Sequence, residues 1–158
     1  DAFTANPLLG VDALEPMVDA AEAAGAGVFA LVRTSNPGAA DVEDLSTPDG
    51  PVHEHLARIV NRFADRLGGS QSTLSGMGAV VGATAPEHIA RLRELMPRAV
   101  FLIPGVGAQG GRPEDLGAAF KPGREAAMIA ASRSIAEADD PGRAAEELRD
   151  VVWAVSGR

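Results

Sequence analysis

Phe101-Leu102-Ile103-Pro104-Gly105-Val106-Gly107-Ala108-Gln109-Gly110-Gly111 is the stretch whose reading decides the fold. Val100 to Ile103 is a short apolar run bounded by a break, which is how a buried strand reads. Pro104 cannot donate to a strand ladder, so the strand stops there. Glycines at 105, 107, 110 and 111 then let the backbone turn tightly and approach a ligand. Successive N–H groups in such a turn form a concavity for an anion. Gln109 is the one long polar side chain in the turn and its natural ligand contact. Gly105-x-Gly107-x-x-Gly110 also fits the dinucleotide fingerprint. That fingerprint, however, opens the first strand–helix unit and runs directly into a helix. Here it comes late in the chain, with Gly111-Arg112-Pro113 intervening, so a phosphate loop of another kind is the better reading.

Working outward, the same strand-then-break pattern recurs. Residues 1–6 read as the end of a strand, Gly27–Val32 and Gly78–Ala83 as further strands, and Ala126–Ala131 as a fifth. Between them run helical periodicities. Asp12 and Glu15 form a capping-box pattern ahead of Leu14, Met17, Val18 and Ala21. Pro51 suits the first position of a helix carrying Val52, Leu56, Ile59, Val60, Phe63 and Leu67 on one stripe. Thr84-Ala85-Pro86-Glu87 is a second capping box, before Ile89, Leu92 and Leu95. A short helix is expected from Pro113 to about Phe120, and a last one after Asp140-Pro141.

Strands that are apolar on both faces belong to a parallel sheet covered by helices. Strand–helix alternation makes the fold class α/β. Ligands in such folds sit beyond the carboxyl ends of the strands. Polar or glycine-rich loops lie there at Arg33–Gly38, Ala83–Thr84, Pro104–Gly111 and Ser132–Ser134. Several loops meeting at one mouth favour a barrel.

Composition bounds the function. The chain has 158 residues, 46% hydrophobic, enough for one domain with a real core. No apolar run approaches the roughly 20 residues of a membrane span. Without cysteine there is no disulfide, thiol nucleophile or cysteine metal site. A net charge of −8 argues against a nucleic-acid partner. The chain opens Asp1-Ala2-Phe3-Thr4, without the basic start of a signal peptide or a methionine, and reads as processed or truncated. A cytoplasmic location is expected.

Arg133 follows the fifth strand, and a guanidinium at the carboxyl end of a barrel strand matches a phosphate bidentately. The alternative is a surface arginine paired with Glu125 or Asp139. Ser35 and Asn36, where a strand breaks at Pro37, could read a base or an amide, or could be plain turn residues. The loop from Ser35 to Gly50 and the glycine-rich loop could close together over a ligand. His53-Glu54-His55 is too closely spaced for helical metal ligation and is expected on a solvated face. His88 is expected at the surface, and Asp41, Glu43 and Asp44 as a solvated acidic loop. No metal site and no serine-nucleophile elbow is read.

These motifs resemble a known family. Asp1-Ala-Phe-Thr-Ala-Asn-Pro-Leu-Leu-Gly10, Gly27-Val-Phe-Ala-Leu-Val-Arg-Thr-Ser-Asn-Pro-Gly38, Gly78-Ala-Val-Val-Gly-Ala-Thr84, Leu102-Ile-Pro-Gly-Val-Gly-Ala-Gln-Gly-Gly111 and Ser132-Arg-Ser-Ile135 are similar, in order, to the carboxyl-terminal part of orotidine 5′-monophosphate decarboxylase of the longer bacterial subfamily. The resemblance implies a (β/α)8 TIM barrel acting as a homodimer, with strands four to eight in this chain. It implies decarboxylation of orotidine 5′-monophosphate to uridine 5′-monophosphate, in pyrimidine biosynthesis, without a cofactor. By the same resemblance Gln109 and Arg133 match the phosphate grip, Ser35 the serine that bonds the pyrimidine amide edge, and Pro104 the start of the loop over the nucleotide.

The family's catalytic Asp-x-Lys-x-x-Asp motif has no counterpart here, so no catalytic residue is assigned in this chain. Lys121, the only lysine, stands in a Lys-Pro-Gly turn. A complete barrel takes about 250 residues, and five strands alone leave two open edges. About three strands are therefore expected from a preceding segment or separate chain. The alternatives are a catalytically inactive nucleotide-binding fragment, or another phosphate-binding barrel enzyme.

Overall fold

Residues 1–70 and 72–157 are described by the computed structural model. In chain order the elements are β1 (Ala2–Ala5), α1 (Val11–Ala24), β2 (Gly27–Arg33), β3 (Ser46–Thr47), β4 (Gly50–Pro51) and α2 (Val52–Arg62). They continue with β5 (Ser75–Val81), α3 (Ile89–Leu95), β6 (Ala99–Ile103), β7 (Ala127–Ile129), α4 (Arg133–Ala136) and α5 (Pro141–Ser156). The main sheet runs β1-β2-β5-β6-β7, and all four pairings are parallel. A doubly wound sheet reverses its strand order at a switch point. This one never reverses, which is the arrangement of a β/α-barrel wall. Among the described residues β1 pairs only with β2, and β7 only with β6, so the wall has two edges.

The pleat explains the packing. In β2, Val28, Ala30 and Val32 are buried, while Phe29 and Leu31 on the opposite face are only half-buried. The buried set shares one core with Leu14 and Val18 of α1 and with Leu56 and Val60 of α2. Each such aliphatic side chain contributes about 1.5–3 kcal/mol when fully buried. Gly78 of β5 is where Phe29 fits, because a Cβ there would meet its ring at 2.6 Å.

The amino ends of β6 and β7 are tied by Arg93. Its guanidinium donates to the carbonyls of Met96, Ala99, Ala119 and Ala126 at 2.6–3.0 Å and lies 3.6 Å over the Phe101 ring. Burial pulls its pKa down to about 10. Arg93, Glu94 and Lys121 line a cavity of about 270 Å³ at this end of the sheet.

Several local expectations change. The chain enters α1 at Gly10, so Asp12 sits inside the first turn and caps nothing. Pro51 is the N-cap of α2 rather than its first residue, and α2 ends at Arg62, before Leu67. The loop after β2 is not structureless: it holds a 3-10 turn at Pro37–Asp41 and the β3–β4 hairpin. The segment from Pro113 to Phe120 forms two 3-10 turns instead of one helix. Asp140 does cap α5, accepting from the Arg143 N–H at 3.0 Å. No helix among the described residues is long and apolar enough to cross a membrane.

Candidate active site at the carboxyl ends of the strands

The glycine-rich loop after β6 closes on itself. Gly107 donates to the Gly111 carbonyl at 3.0 Å, Gly110 to Gly107 at 2.8 Å and Gly111 to Gly105 at 3.0 Å. Gly105, Gly107 and Gly110 have φ of 96°, 77° and 93°, in the region that disfavours side chains. The loop is also packed against its neighbours. A Cβ on Gly105 would lie 2.8 Å from Ser35 Cβ, and one on Gly107 2.8 Å from Ser134 Cβ. A Cβ on Gly82, just after β5, would lie 2.7 Å from Ser35 Cα. The Pro104 carbonyl accepts the Ala83 N–H at 2.9 Å.

The loops after β2, β5 and β6 and the start of α4 therefore meet. Ser35 and Gln109 line one cavity of about 340 Å³, with Arg33, Asn36, Pro37 and Thr84. A second cavity, about 490 Å³, is lined by Gly107, Gly110, Gly111, Arg112 and Ser134 on one side and by α5 on the other. Gln109 and Arg133 are both exposed and Ser35 is half-buried. Arg133 opens α4, one residue before the serine that touches Gly107. Arg133 makes no ion pair with Glu125 or Asp139. All four residues singled out in the sequence, Ser35, Pro104, Gln109 and Arg133, thus stand on the carboxyl side of the sheet. Lys121 stands on the other side, beside Arg93.

The acidic loop is the main departure from expectation. Glu43 and Asp44 are half-buried, not solvated, because Glu43 bonds the Thr34 backbone and Asp44 the Arg33 side chain. Arg33, 7% exposed, makes a two-pronged bond to Asp44, Nε to Oδ1 at 2.8 Å and Nη2 to Oδ2 at 2.9 Å. Its Nη1 donates to the Thr34 carbonyl at 2.6 Å. The Thr34 N–H donates to Glu43 Oε2 at 2.7 Å. Thr84 does not cap a helix; its hydroxyl donates to the Ser35 carbonyl at 3.1 Å.

His53 is buried, 2% exposed, rather than on a solvated face. Its Nδ1 lies 2.9 Å from the Glu43 carbonyl and 3.2 Å from Asp44 Oδ1. His88 is half-buried, with its ring 4.5 Å from that of His53. Asp44, His53 and His88 offer ligand atoms within 4.8 Å of one another, a spacing that could hold a metal ion. Both Asp44 oxygens are already bonded to Arg33, and His53 Nδ1 faces a carbonyl, so the set reads as a hydrogen-bonded latch. The Arg33 hydrogen bond holds the Asp44 carboxyl below the usual range. Burial, then the His88 charge, lowers the His53 pKa, against the opposing pull of the Glu43 carbonyl and Asp44. Spacing along the sequence could not reveal this latch, because its members come from three separate segments.

A wall of parallel strands in unbroken order, with its functional loops gathered on the carboxyl side, makes this part of a β/α-barrel protein. The barrel is of one particular kind. The chain belongs to the Orotidine 5′-phosphate decarboxylase / HUMPS family, whose profile matches residues 1–148. It is 43% identical over 155 residues to the orotidine 5′-phosphate decarboxylase of Deinococcus radiodurans, covering 95% of this chain and 55% of the relative. Against the enzyme of Ralstonia pickettii it is 40% identical over 158 residues, covering 98% and 54%. The solved structure of Leishmania donovani OMP decarboxylase superposes with a TM-score of 0.79 at 31% identity, over 99% of this chain and 58% of that one. The chain spans about half the length of the curated relatives it matches.

Proposed function

We propose that this chain is the nucleotide-gripping portion of an orotidine 5′-monophosphate decarboxylase. The observation that carries the reading is the cavity shared by Ser35 and Gln109, with Gly105 in contact with Ser35. In this reading Gln109 and Arg133 hold the phosphate, Ser35 bonds the pyrimidine amide edge, and Pro104 starts the loop over the nucleotide.

The reaction removes the carboxylate of the pyrimidine as carbon dioxide and leaves a carbanion at C6, which takes up a proton to give uridine 5′-monophosphate. No lysine of this chain serves that step, since Lys121 is on the far side of the sheet, and arginines do not deprotonate near neutral pH. Its contribution is binding energy remote from C6, which orients the substrate and can be used in the transition state.

The catalytic acids and lysines then come from strands that pair with the two edges of the wall. Phe3 of β1 and Met128 of β7 are 40% and 45% exposed, as side chains awaiting cover at those edges would be. A complete barrel of this kind works as a homodimer in the cytoplasm. Release of labelled carbon dioxide from carboxyl-labelled orotidine 5′-monophosphate by the complete polypeptide tests the proposal. Binding of uridine 5′-monophosphate without turnover would instead make it an inactive nucleotide-binding barrel.

A further inference from the structure

We propose that Glu43 is a positioning residue for recognition of the base: it fixes Ser35 by gripping the residue before it. The inference rests on the reading of Ser35 as the contact to the pyrimidine. Three backbone groups of Thr34 and Ser35 are held by side chains. The Thr34 N–H donates to Glu43 Oε2 at 2.7 Å, the Thr34 carbonyl accepts from Arg33 at 2.6 Å, and the Ser35 carbonyl accepts from Thr84 at 3.1 Å. The Thr34 hydroxyl adds a fourth tie, 3.0 Å from Glu43 Oε1 and 2.7 Å from Asn36 Oδ1, its single proton serving one of them at a time. From the opposite direction Gly82 and Gly105 leave no room behind Ser35.

Of these ties Glu43 is the one that can be cut without touching the nucleotide. Arg33 and Thr84 line the cavity of Ser35 and Gln109, whereas Glu43 lines a separate one, about 200 Å³, with Thr34, Asn36 and Leu56. Its bond to a backbone N–H is charge-assisted, roughly twice as strong as a neutral one, and its side chain is only 16% exposed. Without it the Thr34 peptide loses its anionic anchor, and the Ser35 hydroxyl samples positions off the amide edge of the base.

The test compares two probes on the complete polypeptide by titration calorimetry: uridine 5′-monophosphate, which has phosphate and base, and ribose 5-phosphate, which lacks the base. Glu43→Ala should weaken the nucleotide about tenfold and leave ribose 5-phosphate unchanged, with Glu43→Gln in between. On a Ser35→Ala background Glu43→Ala should add nothing for the nucleotide, because the residue it positions is gone. A merely structural role would weaken both probes alike. Equal loss for the two probes, no loss for either, or full additivity with Ser35→Ala each overturns the proposal. If Glu43→Ala does not fold, Glu43→Gln carries the same comparison. Wild-type protein that binds ribose 5-phosphate with no gain from the base overturns the base reading as well, and binding of neither probe overturns the functional proposal itself.

Discussion

Gly105 and Gly110 allow a controlled measurement of how tightly the mouth of the sheet is packed. Their backbones are nearly alike, with φ of 96° and 93°. Alanine at either position therefore meets a similar backbone penalty, about 1–2 kcal/mol for a side chain in the left-handed region. The surroundings differ. A Cβ at 105 would fall 2.8 Å from Ser35 Cβ, 3.3 Å from its Oγ and 3.4 Å from Thr84 Cγ2, while at 110 nothing lies within 4 Å. The Thr84 hydroxyl and Gly82 restrain Ser35 on its other sides, so it cannot simply withdraw. Overpacking a filled site typically costs a further 1–3 kcal/mol, roughly. Gly105→Ala should thus destabilise by about 2–5 kcal/mol and Gly110→Ala by about 1–2 kcal/mol. Urea unfolding of the complete polypeptide, read as the shift in midpoint at constant slope, gives both numbers. The packing argument also says that only Gly105→Ala should weaken uridine 5′-monophosphate through displaced Ser35. Equal midpoints for the two variants would refute it, because the backbone cost would then be the whole effect.

Arg133→Ala in the complete polypeptide should weaken both uridine 5′-monophosphate and ribose 5-phosphate, by roughly 1.5–3 kcal/mol for one charge-assisted contact, without moving the urea midpoint; unchanged affinities remove Arg133 from the site. Arg93→Met should destabilise by about 3 kcal/mol or more, since it strands carbonyls that had buried donors, each worth roughly 1–3 kcal/mol, and a midpoint shift under 1 kcal/mol would count against that role. Stability should also fall in acid in two stages. The buried His53 has a pKa below its ordinary 6.5, so the fold resists its protonation; stability is full above 6.5 and declines as pH falls beneath it. Asp44 has a pKa below its ordinary 3.8, so its contribution is full above that value and is lost as pH falls through the lower folded value. His53→Asn should flatten the midpoint-against-pH curve in the first window only, and a curve as steep as that of the wild type would exclude His53 as its cause.

The pattern of apolar runs was enough to place all five strands of the wall and the four main helices α1, α2, α3 and α5, because burial leaves little choice of residue. Their ends were less legible. Asp12 and Thr84 each carry a cap-like pattern, yet Gly10 ends its turn at a φ of 97° and starts α1, and the Thr84 hydroxyl is taken by the Ser35 carbonyl 49 residues away. A local pattern names a capable residue; a distant partner decides whether it is free. The same holds for His53. Its neighbours Glu54 and His55 suggested a solvated face, but Glu43 and Asp44 fold over it from a loop that periodicity does not describe. Arg93 left no sequence signal, since an arginine on an amphipathic helix ordinarily faces water. The loops that carry Ser35, Pro104, Gln109 and Arg133 were legible as one group because all follow the carboxyl ends of parallel strands; the roles given to Ser35 and Pro104 came from the family resemblance.

How a chain of net charge −8 could hold a phosphate follows from which arginines near the mouth are already neutralised. Arg33 is buried, forked onto Asp44 and 3.9 Å from Glu43, so its charge is more than offset and its donors are occupied. Arg112 lies 3.7 Å from Glu114, a highly exposed pair that holds little energy. Arg133 has no ion-pair partner among the described residues and is exposed beside the glycine-rich loop. A carboxylate placed beside it would compete with the phosphate directly, whereas acids elsewhere on the surface act across water and salt that screen them beyond about 8–10 Å. The acidic balance of the chain and an anionic ligand are therefore compatible, because Arg33 offsets part of the negative charge that Glu43 and Asp44 bring near the mouth and leaves Arg133 unpaired among the described residues. By the same reasoning Asp44→Asn would remove one of the two carboxylates beside Arg33 and make the surroundings of the cavity less negative. It should raise the affinity for inorganic phosphate while loosening the loop that carries Ser35, and opposite signs for phosphate and for the base portion of the nucleotide are the signature to look for.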